Sequence, residues 1–237
     1  EITYGDWSSD VCSSDLNLYF ATHDLGTDGV YSSDDVMKWW QIADPTTSPI
    51  LIHDFGPGSG ASLIKTQLAF FQGQLYGVAQ DPEHGVELWR TDSSPAGVSL
   101  LLDINPSGDA LPWQPTATYD ALYFGANDGV HGEELWKTDG TPAGTVLVRD
   151  INTSGSSAPE SLVAKDGELF FSADAGSGRT LWQSDGTADG TLTVPGPSGG
   201  ASGAADPQDL TILNSTLYYS ASTAAAGREP WAARVYS

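Results

Sequence analysis

Gly132-Glu133-Glu134-Leu135-Trp136-Lys137-Thr138-Asp139-Gly140-Thr141-Pro142-Ala143-Gly144-Thr145 is the stretch on which the fold of this chain turns. Its tryptophan recurs. Met37-Lys38-Trp39-Trp40, Glu87-Leu88-Trp89, Thr180-Leu181-Trp182 and Glu229-Pro230-Trp231 repeat the pattern, with spacings of 49, 47, 46 and 49 residues from Trp40 onward. A second marker precedes each one: Leu18-Tyr19-Phe20, Leu75-Tyr76-Gly77, Leu122-Tyr123-Phe124, Leu169-Phe170-Phe171 and Leu217-Tyr218-Tyr219. The gap from the middle of this marker to its tryptophan is 12 or 13 residues in units two to five and 21 in unit one. The difference implies an eight-residue insertion around Gly26–Asp34. Two markers in one register mean internal repetition.

Within a unit the elements are short strands. In unit four, Ser161–Lys165 reads as strand A and Asp166-Gly167 as a type I′ hairpin turn. Glu168–Ala173 reads as strand B, Thr180–Ser184 as strand C and Thr191–Val194 as strand D. Gln72-Gly73 and Asn214-Ser215 are the matching A–B turns of units two and five. With 27 Gly and 14 Pro, tight turns are well supplied. Four strands in roughly 47 residues cannot bury both faces alone, whereas radially stacked sheets can. The expected fold is all-β: a β-propeller of five four-stranded blades. Unit five ends after its strand C, so a closed ring would take the missing strand from the N-terminal residues; a fragment of a larger ring or longer array is the alternative.

Residues 6–16, Asp-Trp-Ser-Ser-Asp-Val-Cys-Ser-Ser-Asp-Leu, read as the in-frame translation of a common short-read sequencing adapter. Residues 1–16 are therefore expected to be an artefactual leader, with the natural reading frame starting near Asn17 and one propeller domain over 17–237. Cys12, the one cysteine, falls in the leader, so cysteine usage says nothing about redox compartment.

Thirty-one acidic residues face nine basic ones, a net charge of −22. Removing Glu1, Asp6, Asp10 and Asp15 leaves 27 against nine, or −18. Such a field repels phosphate backbones and anionic bilayers, which argues against nucleic acid and membrane as partners. No apolar run approaches the ~18 residues of a membrane span. A salt-tolerant or secreted surface fits this charge, and so does cation binding.

The stretch 132–145 resembles the bacterial repeat family named for its Glu-Leu-Trp…Asp-Gly-Thr core. Unit two keeps Glu87-Leu88-Trp89-Arg90-Thr91-Asp92 with Ser93 for the glycine. Unit four keeps Leu181-Trp182-Gln183-Ser184-Asp185-Gly186-Thr187 with Thr180 for the acid, and units one and five lack Asp-Gly-Thr. The resemblance implies secreted or surface-exposed proteins and transfers no catalytic residue. Blade size and number are also similar to the animal lectins called tachylectins, an analogy of fold alone.

On alternating strands the B–C and D–A loops share one face. The B–C loops hold Asp81, His84 and Glu87 in unit two, Asp128, His131 and Glu134 in unit three, Asp174 in unit four and Glu229 in unit five. The D–A loops hold Asp54, Asp103 and Asp150. Two readings stand. Asp81, Asp128, Asp174, Asp54, Asp103 and Asp150 could ligate a hard cation such as Ca²⁺, which takes oxygen ligands. Alternatively the Asp side chains cap their own turns, while the Glu side chains lie in solvent or pair with Arg90 or Lys137. His84, His131, Glu87 and Glu134 are candidate ligand-binding residues.

Trp89, Trp136, Trp182 and Trp231 sit mid-strand and are expected to pack between blades. Trp39 and Trp113 fall outside the repeat. Trp113, among Pro112 and Pro115 before strand A, is the better candidate for stacking on a sugar. No Gly-x-Ser-x-Gly elbow, His-Glu-x-x-His helix or phosphate loop is present. The expected function is a secreted, monomeric binding module for a glycan or another surface polymer, with Ca²⁺ as the candidate cofactor. A structural or adhesion scaffold and a polysaccharide-acting enzyme are the alternatives.

Overall fold

The computed structural model describes residues 12–14, 17–24, 36–42, 48–57, 67–92, 94, 97–195, 205–223 and 227–235. Among these every regular element is a strand, and the strands form five antiparallel sheets. The first sheet holds β1 (Cys12–Ser14), β2 (Asn17–Asp24), β3 (Val36–Ile42) and β4 (Ile50–Pro57). The second holds β5 (Leu68–Phe71), β6 (Gln74–Asp81), β7 (Gly85–Thr91) and β8 (Ser99–Leu102). The third holds β9 (Trp113–Ala117), β10 (Leu122–Asn127), β11 (Glu133–Thr138) and β12 (Val146–Arg149). The fourth holds β13 (Glu160–Lys165), β14 (Glu168–Asp174), β15 (Arg179–Ser184) and β16 (Leu192–Thr193). The fifth has three strands, β17 (Ala205–Leu213), β18 (Thr216–Thr223) and β19 (Gly227–Arg234).

Each sheet is a meander in chain order, and the boundaries expected in unit four hold to within one residue at every strand. The expected insertion at Gly26–Asp34 lies outside the described residues, as do residues 1–11, from which a fourth strand for the last sheet was expected. Two-residue turns close the hairpins as their chemistry requires. Asp166 and Gly167 have φ of 51° and 90°, and Gln72 and Gly73 have 48° and 78°.

By contact clustering the chain divides into two compact units, residues 1–115 with 127–129, and 116–126 with 130–237. In the first, Tyr19, Met37, Trp39 and Ile52 of the first sheet share a core with Leu75, Val78 and Val86 of the second. In the second, Tyr123 and Leu135 of the third sheet meet Leu169, Phe171 and Trp182 of the fourth. Phe170 and Leu181 of the fourth then meet Leu217, Tyr219 and Val235 of the fifth. This is period-two alternation at work. In the marker Leu169-Phe170-Phe171 the outer residues face the sheet before and the middle one faces the sheet after. Tyr218, the middle residue of the fifth marker, is 46% exposed.

The Asp-Gly-Thr loops between strands C and D have a steric logic. Asp139 Oδ1 accepts hydrogen bonds from Thr141 N at 2.9 Å and Thr141 Oγ1 at 2.7 Å. Asp185 does the same with Thr187, and Asp92 with Ser94. A Cβ on Gly144 would stand 2.0 Å from Asp139 Oδ1, and Gly190 and Gly97 are equally close to their aspartates. The carboxylate that caps the loop therefore fixes the glycine five residues later.

Candidate functional site

The glutamates of the Glu-Leu-Trp core point inward. Glu134 is fully buried. Its Oε2 accepts from Ile151 N at 3.0 Å and Ser157 Oγ at 2.6 Å, and its Oε1 accepts from Asn152 N at 3.3 Å and Ser157 N at 3.0 Å. Glu87, equally buried, accepts from Ile104 N at 3.1 Å and Asn105 N at 3.2 Å. Each reaches from strand C across its own sheet's outer end to the amides of the D–A loop. This corrects the expectation that these side chains lie in solvent or pair with Arg90 or Lys137. A buried carboxylate needs donors, and the loop amides supply them, which removes Glu87 and Glu134 from a ligand's reach.

The B–C and D–A loops are tied together by further bonds. Val86 N donates to Asp109 Oδ1 at 2.9 Å, and Glu133 N donates to Ser156 Oγ at 3.0 Å. Asn105 and Asn152 each donate from Nδ2 to the carbonyl four residues on. The shared loop face expected from strand alternation is present in the second and third units.

Asp81, Asp174 and Asp54 follow the capping reading. Asp81 Oδ1 accepts from Glu83 N and His84 N, at 3.0 and 2.6 Å, and the His84 ring Nδ1 lies 2.8 Å from Asp81 Oδ2. That hydrogen bond raises the His84 pKa. Asp174 Oδ1 accepts from Gly176 N and Gly178 N. Asp54 lies inside β4 rather than in a loop; its Oδ1 accepts from Gly56 N, and its Oδ2 is 3.8 Å from Lys38 Nζ. Lys38 occupies the register position that Glu87 and Glu134 hold in their sheets. Asp103 and Asp150 follow β8 and β12, and in each Oδ1 is buried without a hydrogen-bond partner among the described residues. Asp128 is half-buried and His131 exposed. Among the described residues no three His, Cys, Asp or Glu side chains converge as a cation would require.

Burial pushes the Glu87 carboxyl from 4.5 up to about 8 against the pull of its amide donors, and burial raises Glu134 in the same direction. Asp92, Asp139 and Asp185 are held low by the hydroxyls and amides of Ser94, Thr141 and Thr187. A group that binds its proton more tightly when folded contributes most below its unfolded pKa, and loses that contribution as pH rises through the folded one. For Glu87 the window runs from 4.5 to about 8. The melting temperature is therefore expected to fall as pH rises from about 4.5 to about 8. His84 acts in the same sense, and His53, pushed down by burial, in the opposite one. Comparison with Glu87→Gln isolates the acid: the variant should show a flatter pH slope, and a curve parallel to the wild type would contradict the assignment.

Trp136 and Trp182 are buried, and Trp89 and Trp231 half-buried. The indoles of Trp89 and Trp182 donate to the Ala79 and Ala173 carbonyls. Trp182 packs in the core shared by the third and fourth sheets, Trp89 against that of the first and second, and Trp231 against that of the fourth and fifth. Trp113 is the first residue of β9 and half-buried, not part of an exposed connection. Trp39 is fully buried at the position that Leu88, Leu135 and Leu181 hold in other sheets.

One exposed aromatic escaped the sequence reading. Tyr119 is 93% exposed at the A–B turn of the third sheet. It rims an open groove of about 790 Å³ lined by Ala117–Asp120 and Ala164–Gly167. The available signal was an aromatic at the turn position that Gln72, Asp166 and Asn214 fill elsewhere.

No family model matches the chain, and no curated protein does. Among solved structures, puromycin hydrolase is similar at a TM-score of 0.61 and 12% identity, over 94% of this chain and 35% of that one. The acylaminoacyl peptidase of Pyrococcus horikoshii gives 0.58 and 9%, over 94% and 37%. This chain spans about a third of the length of either. A thermostable family-43 glycoside hydrolase aligns over 96% of this chain and 88% of its own with a TM-score of 0.40, too slight a likeness to bear on function. At these identities the first two show likeness of fold alone.

Proposed function

We propose that the five sheets are the blades of one β-propeller of the Glu-Leu-Trp…Asp-Gly-Thr repeat type. In this reading it is secreted or surface-exposed, monomeric, and serves as a binding module for a glycan or another surface polymer. The observation that carries the reading is how the loop face is built. Glu87 and Glu134 are spent on loop amides, and Asp81 and Asp174 on their own turns. The acids stiffen a platform instead of meeting as an acid–base pair, and a stiff surface loses little entropy when it binds.

An array of immobilised polysaccharides, probed with the whole chain in calcium and in EDTA, tests this. Retention on at least one polymer supports the module. Retention that survives EDTA rules out a calcium-bridged mode. No retention under either condition overturns the reading in favour of a structural scaffold, and release of new reducing ends from a bound polymer overturns it in favour of an enzyme.

A further inference from the structure

We propose that the groove between the A–B turns of the third and fourth sheets is a binding site for one sugar ring of a neutral polysaccharide, with Tyr119 as the platform on which the ring stacks. This rests on the binding-module reading above and moves the ligand away from the B–C and D–A loops. Four observations carry it.

First, Tyr119 has no structural task. Its turn is held by others: Thr118 N donates to the Ala121 carbonyl at 2.8 Å, and Ala121 N donates to Thr118 Oγ1 at 3.1 Å. Thr118 Oγ1 also lies 3.1 Å from Asp120 Oδ1. At 93% exposure the phenol ring stands almost wholly in solvent. Scattered surface aromatics are ordinary, but this one rims a groove.

Second, the groove has the size of a ligand cleft. Its volume of about 790 Å³ lies in the range of roughly 300–1,000 Å³ usual for small-molecule sites. Third, its polar groups suit hydroxyls. Asp120 and Asp166 are acceptors, and Lys165 Nζ, 2.6 Å from Asp166 Oδ2, is a donor. Paired charge offers both hydrogen-bond roles without a strong local field. An apolar ring face beside mixed donors and acceptors complements a pyranose, which has C–H faces and hydroxyl edges. Fourth, the net charge of −22 disfavours anionic polymers, which leaves neutral ones.

Affinity electrophoresis of the intact chain through gels containing a soluble β-glucan, a mannan, a galactan or anionic alginate tests the site. The wild type should be retarded by at least one neutral polymer and not by alginate. Tyr119→Ala should weaken that retardation about tenfold or more, the scale of a lost aromatic anchor, and Tyr119→Trp should retain it. Tyr218→Ala, at an exposed aromatic of the fifth sheet, should leave it unchanged. Because Tyr119 is exposed, its variants should melt with the wild type, which separates lost binding from lost folding. Neutral-polymer binding that survives Tyr119→Ala overturns the site and leaves the module reading intact. Retardation by alginate alone overturns the choice of neutral ligand. No retardation by any polymer overturns both.

Discussion

Exchanging Trp39 for Leu and Gly77 for Phe together should leave the protein about as stable as it is now, although Gly77→Phe alone should cost more than about 3 kcal/mol. The reason is a trade of volume between neighbouring sheets. At the middle of strand C the repeat places a leucine, and at the end of the next unit's marker a large aromatic; Leu135 and Phe171 meet in this way. In the first pair of sheets Trp39 stands where the leucine should be. A Cβ on Gly77 would then lie 2.6 Å from Trp39 Cζ2 and 2.6 Å from Leu68 Cδ2. Gly77 is the one marker end without a side chain because the indole already fills its space.

Trp39→Leu alone should cost about 2 kcal/mol by leaving a cavity. Part of that is offset, because Trp39 Nε1 is buried without a hydrogen-bond partner among the described residues and such a group costs roughly 1–3 kcal/mol. Urea melts of the two single variants and the double variant give the coupling, expected at about 5 kcal/mol in favour of the double, the sum of the two single costs. Additive costs would show that the two residues do not share space.

The second large effect is expected at Glu134. Removing its carboxylate with Glu134→Ala leaves the amides of Ile151 and Asn152 buried without their acceptor, and should cost about 2–4 kcal/mol. Ser157 is cushioned, since its N and Oγ also lie 3.0 and 3.3 Å from the Glu133 carbonyl. Glu134→Gln keeps the shape but turns an NH₂ group toward at least one N–H, so an intermediate loss of about 1–2 kcal/mol is expected. Amide hydrogen exchange should quicken at Ile151 and Asn152 in both variants, more in the alanine, and stay slow at Lys137. Glu133→Ala, whose backbone carbonyl is what the loop uses, should be close to neutral. A Glu134→Ala variant with wild-type stability and exchange would mean that the loop holds itself.

Read alone, the residues located all four strands of the fourth unit and the three strands that unit five supplies to its own sheet. Strand periodicity, Asp-Gly turns and recurring aromatics are local facts, and a sheet of four short strands expresses them with little freedom. The capping role of Asp81 and Asp174 was legible for the same reason, since donor and acceptor stand two to four residues apart. What tertiary structure decided is where a side chain goes when its partner is far along the chain. Glu134 meets amides 17 and 18 residues later. Trp39 and Gly77 exclude each other's volume across 38 positions. Tyr119 is left bare because Thr118 and Asp120 complete its turn without it. Composition marks such residues as polar, bulky or small; only the neighbouring sheet and loop say whether a carboxylate faces water or a buried amide.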